Sequence, residues 1–135
     1  MVGFLVLGRG GAARVAGWYR AALAGLAGER GLALPCEDTG GDCRGWFVVV
    51  VQLPAGTDRD GTIRALRELG VQSKPYLPAI HLMSFYRELY GHRPGEFPVC
   101  EDVAERSVAL PFFPELTESQ VARVAEALER VLTAA

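Results

Sequence analysis

Apolar and polar positions follow two rhythms along this chain, and the switches between them divide it into elements. Between residues 12 and 27 the side chains Val15, Trp18, Tyr19, Ala22, Leu23 and Leu26 recur at the spacing of one helical face, and Gly28 ends the pattern. Residues 32–35 (LALP) predict a short extended piece; Pro35 assigns it to an edge or a strand end, because proline brings no N–H to a ladder. Residues 37–45 are polar and glycine-rich, the composition of a loop. Residues 46–53 (WFVVVVQL) are apolar without alternation and rich in β-branched side chains, which predicts a central strand covered on both faces.

The turn Pro54-Ala-Gly-Thr57 leads to a helix capped by Thr57 or Asp58, with Ile63, Leu66 and Leu69 on its core side and Gly70 as its stop. Residues 71–77 read as extended, 82–89 as a short helix bracketed by prolines, and 91–95 as a Gly/Pro loop. Val99, Val103 and Ala104 suit a further helix, and residues 108–113 a strand. Thr117 and Gln120 form a capping box for the last helix, in which Val121, Val124, Ala125, Leu128, Val131 and Leu132 make one stripe. The order α-β-β-α-β-α-α-β-α predicts an α/β fold, an α+β two-layer sandwich of helices on a small mixed or antiparallel sheet.

Composition narrows the picture. A chain of 135 residues holds one core, not two, and half of its residues are hydrophobic. The net charge is −2, with acids and arginines interspersed, so neither nucleic acid nor an anionic membrane is expected as a partner. Basic charge is thirteen arginines and a single lysine, Lys74. Cys36, Cys43 and Cys100 have no metal-ligand spacing and predict free thiols in a reducing cytoplasm. The opening MVGFLVL is apolar, yet it lacks a basic start and is too short to span a bilayer; the expectation is a cytoplasmic chain without a signal peptide.

Chemistry is sparse. Gly8, Gly10 and Ala13 outline G-x-G-x-x-A, with Glu37 or Asp38 following at the distance of a ribose-binding acid. Against that dinucleotide fingerprint, Pro35 interrupts the second strand and no βαβ rhythm continues. His81 and His92 lack a ligand partner at metal spacing. Ser73, Ser84 and Cys100 sit in no nucleophile elbow. Glu101, Asp102, Glu105 and Arg106 read as a solvated helix face. The most distinctive segment is 71–86, which gathers Lys74, Tyr76, His81 and Tyr86 around rigid prolines. Such a loop suits ligand positioning; equally, Tyr76, Phe85 and Tyr86 suit packing, with Lys74 and His81 solvated, and composition does not separate the two.

At this segment the chain resembles the C-terminal small domain of the DegT/StrS family of PLP-dependent sugar aminotransferases. Leu69-Gly-Val-Gln-Ser-Lys-Pro-Tyr-Leu-Pro-Ala-Ile-His-Leu-Met-Ser-Phe-Tyr86 is similar to the family's Gly-Ile/Val turn followed by an aromatic, a proline, a histidine and a tyrosine. Phe97-Pro-Val-Cys-Glu-Asp-Val-Ala-Glu105 resembles its helix beginning F-P-x-A-E, Cys100 standing where alanine is usual. Residues 108–120 resemble its L-P-x-x-P-x-L-T-x-x-Q signature, and Trp18-Tyr19-Arg20 with Leu23 its W/Y-Y-x-x-L helix. The likeness runs from Ala12 to Leu132 and displaces the dinucleotide reading.

The resemblance implies a small domain over residues 12–135, like that of fold type I aminotransferases, behind a divergent segment 1–11; Met1–Leu7, which does not resemble the family, is expected to replace part of the cover over the apolar surface, for instance as an added strand. It implies substrate-binding roles for Lys74, Tyr76 and His81 toward a nucleotide-sugar, Lys74 matching an anionic diphosphate. The family's Schiff-base lysine, pyridine-pairing Asp and phosphate cup belong to a large domain whose Ser/Lys/Gly-rich stretch does not occur here. Transamination requires that amine, so the expectation is a chain that alone holds no pyridoxal phosphate, has no catalytic residue or metal, and is not an active transaminase. It would work with a PLP-binding large domain, joined to it or supplied in trans, or serve as a non-catalytic sugar-nucleotide-binding or dimerisation module. An exposed apolar face predicts a homo-oligomer.

Overall fold

A computed structural model of the chain describes residues 9–41 and 44–134. Helix α1, Arg9–Arg30, starts earlier than the apolar pattern suggests, and it buries Val15, Tyr19, Leu23 and Leu26. Because Gly10 and Ala13 are already helical and every strand pair is antiparallel, no glycine turn between parallel strands exists among the described residues, and the dinucleotide fingerprint is discarded. Residues 1–8, including the suggested extra strand, lie outside the described residues.

Three short strands, β1 (Val49–Gln52), β2 (Lys74–Pro75) and β3 (Ser107–Leu110), form an antiparallel sheet in the order β1-β3-β2. The valine run is therefore not the central strand. Only Val49 and Val51 face the core, while Val50 stays half-buried on the other face and Phe47 is 72% exposed. The run lacks alternation because both faces are apolar, not because both are covered. Residues 32–35 contribute one bridge, Ala33 to Gln52, instead of a strand, since Pro35 cannot extend the ladder. β3 takes the centre and stops before Pro111.

Helices cover one face only. α2 (Arg59–Glu68) and α5 (Glu118–Ala134) join α1 in packing Ile63, Leu66, Val121, Val124 and Leu128 against Val49, Val51, Val108 and Leu110. Asp58 caps α2 by accepting from the Gly61 N–H at 2.9 Å. At its other end Gly70 adopts φ 79°, and the Val71 N–H bonds the Leu66 carbonyl at 2.9 Å, a glycine-dependent Schellman stop. The capping box of α5 is present: the Thr117 N–H donates to Gln120 Oε1 at 2.9 Å and the Gln120 N–H to Thr117 Oγ1 at 3.3 Å. This is a two-layer α/β arrangement, and among the described residues one sheet face is left without helices.

Candidate functional site

The site grows from the edge of the sheet. Once Gly70 has stopped α2, Val71 and Ser73 turn inward and β2 pairs Lys74 with Ala109 and Pro75 with Val108. Pro75 has no N–H to offer, so β2 can only be an edge strand and ends at once. The Tyr76 N–H still reaches the Ser107 carbonyl at 3.4 Å. A 3-10 turn, Ile80–Leu82, then leads into α3 (Ser84–Tyr90), and α4 (Pro98–Arg106) returns the chain to β3. Where α4 ends, the Leu53 N–H bonds the Arg106 carbonyl at 2.9 Å and the Arg106 guanidinium donates to the Leu53 carbonyl at 2.6 Å, fixing α4 to β1.

Between the 3-10 turn and α4 lies an open groove of about 800 Å³, lined by Tyr76, Leu77, Pro78, Ile80, His81, Phe97, Pro98, Val99, Val103 and Ala104, with Glu96, Cys100 and Ser107 at its borders. A second groove, of about 550 Å³, crosses the bare sheet face past Arg44, Trp46, Val50 and Gln52. Tyr76, Val103 and Ser107 border both. The structure thus brings Tyr76 and His81 to one groove. Lys74 is exposed beside Ala109 and lines neither.

His81 is 9% exposed, and its Nε2 lies 2.9 Å from Glu101 Oε1. Its ring packs edge-on against Phe97, with centroids 4.8 Å apart. The same Glu101 carboxylate accepts the Gly95 N–H at 2.9 Å and the Phe97 N–H at 3.2 Å. These donors, Gly95 first and His81 next, hold its pKa below the ordinary 4.5. Beside it, His92 Nδ1 lies 2.7 Å from Glu96 Oε2, and that bond lowers the Glu96 pKa likewise. Glu101 is therefore not part of a solvated helix face. Its signals in the sequence are an acid in the first turn of a helix that starts at Pro98 and its place in the F-P-x-A-E likeness. Asp102 does face outward and pairs with Arg106 four residues on, whose guanidinium also holds the Leu53 carbonyl.

Other sequence candidates separate. Ser73 Oγ is buried with no hydrogen-bond partner among the described residues, and Ser84 and Cys100 are exposed. None of the three bonds to a histidine among the described residues. Among those residues no three His, Cys, Asp or Glu converge on a metal position. Cys36 is an exposed free thiol that accepts from Arg44 Nη2 at 2.9 Å, Cys100 is likewise free, and Cys43 lies outside the described residues. No described helix is long and apolar enough to cross a membrane.

The segment that builds this groove falls within a stretch, residues 11–129, that matches the DegT/DnrJ/EryC1/StrS aminotransferase family. The chain belongs to that family. A UDP-N-acetyl-3-dehydro-alpha-D-glucosamine 3-aminotransferase from Acidithiobacillus ferrooxidans is 37% identical over 123 residues, which are 90% of this chain and 30% of that relative. The aminotransferase TlmJ from Streptoalloteichus hindustanus superimposes with a TM-score of 0.74 at 26% identity, over 91% of this chain and 32% of that one. S. venezuelae DesV gives 0.75 at 26% identity over 92% and 32%. Helicobacter pylori PseC, at 14% identity and a TM-score of 0.79 over 94% and 33%, shares the fold. This DegT/DnrJ/EryC1/StrS chain thus spans about 30% of the length of the curated relative it matches over most of its own length.

The family uses pyridoxal phosphate, and the residues present do not fit it. Lys74, the lone side-chain amine, stands outside both grooves. The larger groove is apolar, and the one carboxylate on its lining, Glu96, would repel a phosphate ester. What the arrangement can do chemically is accept an apolar surface while offering a phenol, an imidazole and a nearby ammonium at its margin.

Proposed function

We propose that this chain is the small domain, residues 12–135, of a PLP-dependent nucleotide-sugar aminotransferase, and that it is not a transaminase by itself. The observation that carries this reading is the groove: the family-matching segment turns Tyr76 and His81 toward one apolar cleft whose exposed rim includes Ile80 and Val99. An apolar cleft suits the polypeptide surface of a large domain, and polar groups at its edge suit a sugar nucleotide held between the two. In this arrangement Tyr76 contacts the sugar nucleotide from the groove, His81 shapes the wall, and Lys74 approaches its diphosphate from the sheet edge. The chain works in the cytoplasm, and its exposed apolar residues are covered in a homo-oligomer or by the large domain, whether fused or supplied in trans.

The test is a titration of the chain with UDP-N-acetylglucosamine and pyridoxal phosphate, with and without the separately produced large domain of the Acidithiobacillus relative. The expected result is sugar-nucleotide binding with the large domain present and no cofactor colour from the chain alone. A chain that turns yellow by itself and consumes a keto-sugar overturns the proposal. Tight UDP-N-acetylglucosamine binding without the large domain supports the second reading, a free-standing sugar-nucleotide module.

A further inference from the structure

Three stretches of chain meet at one carboxylate. Glu101 accepts the Gly95 N–H on both oxygens at 2.9 Å, accepts the Phe97 N–H at 3.2 Å, and lies 2.9 Å from His81 Nε2. An ionised carboxylate only accepts, so the shared proton belongs to His81 Nε2. Neither amide has another acceptor among the described residues. Charge-assisted bonds of this kind are roughly twice as strong as neutral ones. Phe97 from the loop 91–97 and Ile80 and His81 from the 3-10 turn all line the larger groove. Among the described residues the ring contacts of His92 and Phe97 with His81, together with this carboxylate, join the loop to the turn.

We propose that Glu101 is the positioning residue of the groove: it locks the 91–97 loop and His81 together and so fixes the width of the cleft between the 3-10 turn and α4. It touches no substrate; it acts through His81 and Phe97. The consequence for binding rests on the reading of this groove as the sugar-nucleotide face.

The experiment compares Glu101→Gln and Glu101→Ala with the native chain and with Glu105→Gln, an exposed neighbour on the same helix. Amide hydrogen exchange is followed by NMR. Both Glu101 variants are expected to speed exchange at Gly95 and Phe97 on the order of tenfold or more, while the Val108 and Ala109 amides of β3 keep their native rates. Unchanged rates at Gly95 and Phe97, or acceleration spread evenly into β3, overturn the proposal, the latter because it reveals only a general loss of stability. UDP-N-acetylglucosamine is then titrated with the large domain present. Glu101→Gln should weaken binding about tenfold, the worth of one such bond, and Glu105→Gln should not. Local acceleration with undiminished binding also overturns it. If the native chain takes up no sugar nucleotide, the functional reading of the groove fails, and the exchange rates alone decide the role of Glu101.

Discussion

Tyr19 is almost wholly buried in the core, and its hydroxyl donates to the Pro111 carbonyl at 2.6 Å, tying α1 to the exit of β3. Tyr19→Phe keeps the ring and orphans that carbonyl, so urea unfolding should show a loss of about 1–2 kcal/mol. Burial also pushes the Tyr19 phenol well above its ordinary value of 10.0. The stability it contributes is therefore complete below pH 10.0 and declines as pH rises beyond it, because the unfolded chain ionises first. A melting-temperature profile should fall less steeply on the alkaline side in Tyr19→Phe than in the native chain. Glu101 has the opposite sign. Its lowered pKa means that its contribution is present above the ordinary value of 4.5 and disappears as pH drops below it toward the folded-state value. The Gly95–Phe97 loop should accordingly open first in an acid titration, seen as early loss of the Phe97–His81 ring contact by NMR. The sequence disclosed Tyr19 through its helical spacing. It hid Glu101, because a carboxylate that reaches backward to two amides and sideways to an imidazole looks, in one dimension, like any polar helix residue.

Among the elements, α5 was the most legible. Its cap and its stripe both lie within one continuous segment, so local rules suffice to place them. Thr117→Ala removes the acceptor for the Gln120 N–H and should cost about 1 kcal/mol in denaturant unfolding. Strands were harder, since pairing is decided by partners distant in sequence. β1 read as central because Val48 and Val50 are as apolar as Val49 and Val51, yet β3 occupies the centre. β3 carries fewer valines, but it lies between two strands that can each supply a ladder. β2 shrank to two residues through Pro75 and the 3-10 turn that follows at Ile80. The loss of the 32–35 strand follows from Pro35 in the same way. Of the three expected site residues, Tyr76 and His81 share a groove because the 3-10 turn brings them round together, a turn that the prolines around it signalled only as irregular chain.

At the scale of the molecule, the striking asymmetry is between the two faces of the sheet. One carries α1, α2 and α5; the other leaves Phe47 exposed, and Phe85 and Tyr90 of α3 and Val99 of α4 are exposed as well, the last at 77%. Patches of this kind rarely stay in water unpaired. The chain should bind a hydrophobic dye and associate as its concentration rises in light scattering. Val99→Glu, which places a charge in the groove without touching the core, should reduce both while leaving the melting temperature within a few degrees of native. A native chain that stays monomeric and takes no dye would contradict this.

The contact between α1 and α5 has a further consequence. The final turns of these two helices meet, with Arg30 Nη2 3.4 Å from Thr133 Oγ1 across 103 positions of sequence. α1 consequently packs against α5 only after nearly everything between them has been made. During synthesis the side of α1 that α5 covers waits while the intervening chain emerges, which ties the completion of the core to the closure of one very long loop.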